Sequence, residues 1–140
     1  MLSSIKGQRG AWVAEGRKRV MVVDDAALVR RYYREALETA GFEIEEAMNG
    51  LEALEKLLQA PVDLLVVDVN MPQMDGLTFI ETLRGQKGQL AATPALVTST
   101  ESSPKDFDAA RRAGANFYLV KPISRETLAE FATMLCGIPR

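Results

Sequence analysis

VDLLVVDVNMPQMDG, residues 62–76, decides the fold. Leu64, Leu65, Val66 and Val67 are apolar in succession, so both faces of the segment must be covered. A strand with one wet face would alternate instead, and a run this short is too brief for a buried helix. We therefore read residues 62–68 as a strand in the interior of a parallel sheet, ending in Asp68 and followed by a turn-rich loop, NMPQMDG.

Working outward, the same alternation of strand and helix recurs. Toward the N-terminus, VMVVD (20–24) is a second buried run, followed by a helix from Ala26 to Ala40 with Leu28, Val29, Tyr32, Ala36, Leu37 and Ala40 on one side and Gly41 as its stop. FEIEEA (42–47) is half charged and reads as an off-centre strand, and the helix after it carries Leu51, Leu54, Leu57 and Leu58. Toward the C-terminus come a helix with Leu77, Ile80 and Leu83, a linker GQKGQLAATP and strand ALVTS (95–99). A helix capped by Ser103 and started by Pro104 then runs to Ala113, and strand NFYLV (116–120) leads to a helix with Leu128, Phe131, Ala132 and Leu135. Five strands alternating with five helices predict a doubly wound α/β fold, flavodoxin-like (βα)5, with strand order 2-1-3-4-5.

Composition narrows the chemistry. The 140 residues suffice for one full core, and no apolar run approaches the roughly 20 residues needed to span a bilayer. A soluble, cytoplasmic protein with no membrane partner is expected. Cys136 is the single cysteine and there is no histidine, so disulfide, zinc and thiol-imidazole sites are excluded and any metal must take oxygen ligands. Residues 1–19 hold five Lys/Arg against one Glu, leaving twelve against eighteen acids in the remainder. Residues 1–18 are thus expected to be a flexible basic leader, with residues 19–137 as the folded domain, no output domain after it, and an acidic body that repels nucleic acid.

In a sheet of this order ligands bind at the carboxyl ends of the strands, beside the junction of strands 1 and 3. At those ends stand Asp24 and Asp25, Asp68, Thr98 and Ser99, and Lys121. Two adjacent carboxylates repel by roughly 4 kcal/mol at 4 Å if the effective dielectric is about 20, so a cation belongs among them. Three carboxylates sharing one crevice suit Mg²⁺, a hard cation that takes oxygen ligands. The turn Asp24-Asp25-Ala26 offers no glycine loop for a dinucleotide pyrophosphate. With a metal and Lys121 present, phosphoryl transfer is the natural chemistry, and Asp68 is the candidate nucleophile.

Taken together, VVDD, DVNMPQMDG, a hydroxyl at the end of strand 4 and AGANFYLVKP resemble the receiver domain of two-component response regulators, most closely the single-domain CheY-like kind. The resemblance implies that Asp68 is the phosphoacceptor and that Asp24, Asp25, Asp68 and the backbone carbonyl of Asn70 hold Mg²⁺. It also implies that Lys121 contacts the phosphoryl oxygens, that Tyr118 is the switch aromatic, and that Lys121–Pro122 is a cis peptide. Counting back from AGANFYLVKP puts Ser99 at the switch hydroxyl, while counting forward from Asp68 puts Thr98 there; strand alternation allows only one of them to face the site, and the family pattern, which places length differences in the loop before strand 4, favours Ser99. Thr100 occupies a position where the family often has alanine.

The partners implied are a sensor histidine kinase or phosphotransfer protein as donor, and a downstream protein that binds the face of helix 4, strand 5 and helix 5. Output is expected to be of the chemotaxis type, with a phosphorelay shuttle or sink receiver as the alternative. A Mg²⁺-dependent phosphohydrolase is a remote alternative, because the position two residues after Asp68 is Asn70 rather than a second acid. Each signal alone has an ordinary reading: a paired Asp caps helices, Asp68 could start an Asx-turn, Lys-Pro is usually a loop, and Tyr118 could simply be packing.

Overall fold

The computed structural model describes residues 16–137. The expected flexible leader therefore lies, over residues 1–15, outside the described residues. Chain order is β1 (Arg19–Val23), α1 (Ala27–Thr39), β2 (Glu43–Ala47), α2 (Gly50–Gln59), β3 (Leu64–Asp68), α3 (Gly76–Arg84), a 3-10 turn (Gly88–Ala92), β4 (Ala95–Ser99), α4 (Pro104–Ala113), β5 (Phe117–Val120) and α5 (Arg125–Leu135). All neighbouring strands pair in parallel, in the order β2-β1-β3-β4-β5. The predicted fold class and strand order are those observed. The linker before β4 is partly the 3-10 turn, and the charged β2 is indeed an edge strand.

The sheet divides the core by residue parity. Met21, Val23, Leu65, Val67, Ala95 and Val97 pack under α2, α3 and α4, against Ala53, Leu57, Phe79, Ile80, Leu83 and Ala110. Val20, Val22, Leu64, Val66 and Leu96 pack under α1 and α5, against Tyr33, Ala36, Leu37, Leu128 and Ala132. β1 and β3 are buried on both faces, as their unbroken apolar runs require.

Four helices begin on side-chain caps: Asn49 accepts from the Glu52 N–H, Asp75 from Thr78, Ser103 from Asp106 in a capping box, and Ser124 from Thr127. Each cap contributes about 1 kcal/mol. Helix α1 differs. Its N-cap Ala26 has no side chain to offer, and its N–H instead donates to Asp24 Oδ1 at 2.9 Å.

The inward faces of α1 and α2 differ from expectation. Leu28 is 80% exposed, and Leu51 and Leu58 are also exposed, while Tyr33 and Ala53 are buried in their place. A helix lying on a sheet buries a stripe centred on its closest approach to the strands, and apolar residues flanking that stripe are left outside it.

One glycine fixes the loop after β3. A Cβ on Gly76 would stand 2.2 Å from the Asp68 carbonyl oxygen and 3.0 Å from Val67 Cγ1, so α3 can start this close to the end of β3 only without a side chain. Gly85, at the other end of α3, has αR geometry, and a Cβ there would meet only ordinary contacts, the nearest being the Thr82 carbonyl oxygen at 3.5 Å. We expect Gly76→Ala to lower stability by about 3 kcal/mol, while Gly85→Ala is neutral or stabilising by up to about 1 kcal/mol. Urea unfolding of the two variants checks this; equal effects would contradict the close approach.

Candidate functional site

The carboxyl ends of β1, β3, β4 and β5 form one rim, because parallel pairing places all four on the same edge of the sheet. Asp24 follows β1 directly and Asp68 closes β3; both are buried, whereas Asp25 is exposed at the rim. One oxygen from each of the three carboxylates lies within 4.8 Å of the others. Lys121, just past β5, reaches across to them: its Nζ donates to Asp68 Oδ1 at 3.0 Å and to Asp24 Oδ2 at 3.1 Å. The cation that the sequence demands between its acids is, in this structure, the Lys121 ammonium.

Titration follows from this arrangement. Burial pushes the Asp68 carboxyl above its ordinary range, opposed by the Lys121 hydrogen bond and reinforced by the charges of Asp24 and Asp25. For Lys121, burial works against the ammonium, but the hydrogen bond to Asp68 and the field of Asp24 outweigh it and hold the group above its usual value. One positive charge is therefore held among three acids. Three clustered carboxylates open to solvent through Asp25 fit a hard, partly hydrated divalent ion. Asn70 stands two residues beyond Asp68 in the exposed loop, and Lys121–Pro122 is a cis peptide.

The two candidate hydroxyls take opposite sides of the sheet. Thr98 continues the parity of Leu96 toward α1 and α5; it is wholly buried, and its Oγ1 lies near the Tyr33 hydroxyl without completing a hydrogen bond of good geometry. It is also the register partner of Asp68. Ser99 continues the parity of Val97, which pairs with Tyr118. Ser99 Oγ accepts the Glu101 N–H at 3.0 Å, and the Glu101 carbonyl accepts the Tyr118 hydroxyl at 2.9 Å. Tyr118 meets Phe107 of α4 edge to face, with ring centroids 4.7 Å apart. Glu101 therefore joins the end of β4 to the aromatic on β5 through its own peptide groups. Thr100 is exposed and lines, with Lys121, a groove walled by Tyr32, Tyr33 and Ile123.

Two residues at the site escaped sequence reading. Tyr33 is buried against the α1 side of the crevice, where burial raises its hydroxyl above its ordinary value and Lys121 pulls the other way. Arg30 donates from a guanidinium nitrogen to the Asp24 carbonyl at 2.6 Å. Helical spacing from Val29 and Ala36 could have placed Tyr33 inward. Nothing local announces the Arg30 contact, which exists because α1 crosses the end of β1.

Comparison with known proteins points one way. The family model described as "Response regulator receiver domain" matches residues 20–133. The "Chemotaxis protein CheY1" of Helicobacter pylori is 34% identical over 121 residues, covering 85% of this chain and 97% of its own length. The solved structure of Vibrio cholerae chemotaxis protein CheY4 superposes with a TM-score of 0.80 at 36% identity, covering 86% of this chain and 99% of that one. A putative response regulator from Chloroflexus aurantiacus gives 0.81 at 29% identity, over 86% and 98% of the two chains.

The crowded crevice generates a stability test. Removing the exposed carboxylate by Asp25→Ala relieves repulsion, so the metal-free variant should melt at the same temperature as the wild type or higher, while the gain in melting temperature on adding millimolar Mg²⁺ should shrink. Differential scanning fluorimetry with and without Mg²⁺ measures both. An undiminished Mg²⁺ shift in the variant would remove Asp25 from the candidate ligands.

Proposed function

The chain belongs to the response regulator receiver family, and on that footing we propose that it accepts a phosphoryl group from a phosphohistidine onto Asp68. It is a phosphoacceptor signalling domain homologous to CheY chemotaxis regulators, not a metabolic enzyme. The observation that carries the residue assignment is the Lys121 ammonium held between Asp68 and Asp24, with Asp25 completing the acid cluster. The receiver unit on this reading is residues 19–137.

In the proposed step an Asp68 carboxylate oxygen attacks phosphorus in line. The O–P bond forms as the P–N bond to the donor imidazole breaks, and the imidazole nitrogen leaves with the electron pair. Mg²⁺, when bound by Asp24, Asp25, Asp68 and the Asn70 carbonyl, supplies neutralisation of the phosphoryl charge. Lys121 needs little reorganisation to contribute, since its ammonium already touches the nucleophile and would pass to the phosphoryl oxygens. Burial of Asp68 keeps the carboxylate poorly solvated, which favours its conversion into a neutral acyl linkage bearing the charge further out.

Ser99 is our choice for the switch hydroxyl, in preference to Thr98. It shares a sheet face with Tyr118 and reaches it through Glu101. Drawing Ser99 Oγ toward the phosphoryl group would strip the Glu101 N–H of its acceptor and shift the peptide whose carbonyl holds Tyr118. Exposed Phe107 of α4, Phe117 and Val120 of β5 and Met134 of α5 give the α4–β5–α5 elements apolar surface suited to a protein partner. We assign the downstream contact to this α4–β5–α5 face and the output to the chemotaxis type, on the likeness to CheY1 and CheY4. No helix among the described residues is long and apolar enough to cross a membrane. The cytoplasm is the compartment that fits a kinase-fed receiver.

Incubation with Mg²⁺ and acetyl phosphate should add one phosphoryl group, labile to hydroxylamine, and Asp68→Asn should abolish it by intact-mass spectrometry. Modification that persists in the variant, or maps to a hydroxyl, would overturn the assignment. Ser99→Ala should still be phosphorylated but lose the chemical-shift change at Tyr118, whereas Thr98→Ala should keep it; exchanged phenotypes would transfer the switch role to Thr98. A motor-type partner should bind beryllofluoride-activated protein more tightly than resting protein. A relay partner would instead remove the phosphoryl group from Asp68.

A further inference from the structure

We propose that Arg30 is a positioning residue for the acid crevice: its guanidinium fixes the peptide that joins Asp24 to Asp25, and so sets where the Asp25 carboxylate stands. The inference rests on the reading of that crevice as a Mg²⁺ site, and it names a residue outside the set of acids, Lys121, Ser99 and Tyr118.

Asp24 is held at every polar atom. Its N–H donates to the Ala47 carbonyl of β2 at 3.1 Å, its Oδ1 accepts from the Ala26 N–H at 2.9 Å, and its Oδ2 accepts from Lys121. Its carbonyl accepts from Arg30 at 2.6 Å. That carbonyl belongs to the peptide plane leading into Asp25, whose side chain is exposed at the rim. Turning the plane would swing Asp25 relative to Asp24 and Asp68. Arg30 is the contact that opposes this rotation.

The guanidinium is itself clamped. Arg30 Nε donates to Glu46 Oε1 at 2.9 Å, Arg34 donates to the other Glu46 oxygen, and Lys56 Nζ donates to the Glu46 carbonyl at 2.6 Å. The Arg30 side chain is 15% exposed and that of Glu46 29%, so the Arg30–Glu46 pair is largely shielded from water while Arg34 and Lys56 brace it from the more open side. A single arginine fork thus ties α1 to the edge strand β2 and to the end of β1. Unlike Lys121, it donates to no carboxylate of the crevice among its hydrogen bonds; its charge is spent on Glu46 and its geometry on a backbone carbonyl.

That division gives the test an unambiguous sign. A cation close to a metal site disfavours the metal by Coulomb repulsion, so removing one should tighten Mg²⁺ binding if charge were its only effect. Loss of positioning predicts the reverse. The Mg²⁺ dissociation constant of the wild type, R30K and R30A should be measured by amide chemical-shift titration with MgCl₂ at constant ionic strength, with urea stability recorded alongside.

We expect binding to weaken in the order wild type, R30K, R30A, by about tenfold for R30A. Lysine keeps the charge but cannot bond the Asp24 carbonyl and Glu46 together in a fork, hence the intermediate value. R30A that is folded and binds Mg²⁺ as tightly as the wild type, or more tightly, would overturn the proposal. If R30A does not fold, R30K decides: weaker binding supports positioning and unchanged binding overturns it. A wild type that binds no Mg²⁺ would overturn the metal reading itself and this proposal with it, an outcome distinct from a difference lost between variants.

Discussion

The Lys121 ammonium between Asp68 and Asp24 is the interaction on which the rest of the arrangement depends. Parallel pairing brings the ends of β1 and β3 together, and each end carries an acid buried in the mouth of the core. Without a cation there the carboxylates would face each other in a medium that screens poorly. Lys121 is delivered from β5, two strands from β3, and its backbone N–H is fixed to the Ser99 carbonyl at 2.7 Å. The crevice is consequently tied to four strands at once. Its charge balance is also incomplete, one ammonium against three acids, and that negative excess suits a divalent cation.

The path from that crevice to the outer surface is short and made largely of backbone. Ser99, Glu101 and Tyr118 form a chain of two hydrogen bonds in which the middle partners are the two backbone peptide groups on either side of the Glu101 Cα rather than a side chain. A peptide plane moves as a unit, so displacement of its N–H displaces the carbonyl of the same residue only through φ and ψ of that residue. On the proposed switch, any coupling through Glu101 would run through rotation about its own φ and ψ in the β4–α4 loop. The T-shaped contact of Tyr118 with Phe107 places α4 within reach of the same change.

How much was legible in the sequence follows the range of the interactions. The unbroken apolar runs of β1 and β3 gave away a parallel sheet, and from its order the convergence of Asp24, Asp25, Asp68 and Lys121 followed without any contact being known. Helix faces were read less well: Leu28, Leu51 and Leu58 have helical spacing but fall beside the buried stripe, because the stripe is set by how each helix lies on the sheet. Arg30 and Glu46 were invisible, since their pairing depends on α1 crossing next to β2. The register of AGANFYLVKP favoured Ser99 over Thr98 from sequence, but the sheet face each takes shows only once the neighbouring strands are in register.

The most direct test of the central claim is a double-mutant cycle on the metal-free protein, combining Lys121→Met and Asp68→Asn and measuring unfolding free energies in urea. If the ammonium compensates the buried carboxylate, Lys121→Met will cost markedly less in the Asp68→Asn background than in the wild type, a coupling of about 1 to 3 kcal/mol. Additive effects, within about 0.5 kcal/mol, would contradict the account, for then the acid at the end of β3 would not depend on the lysine that reaches it.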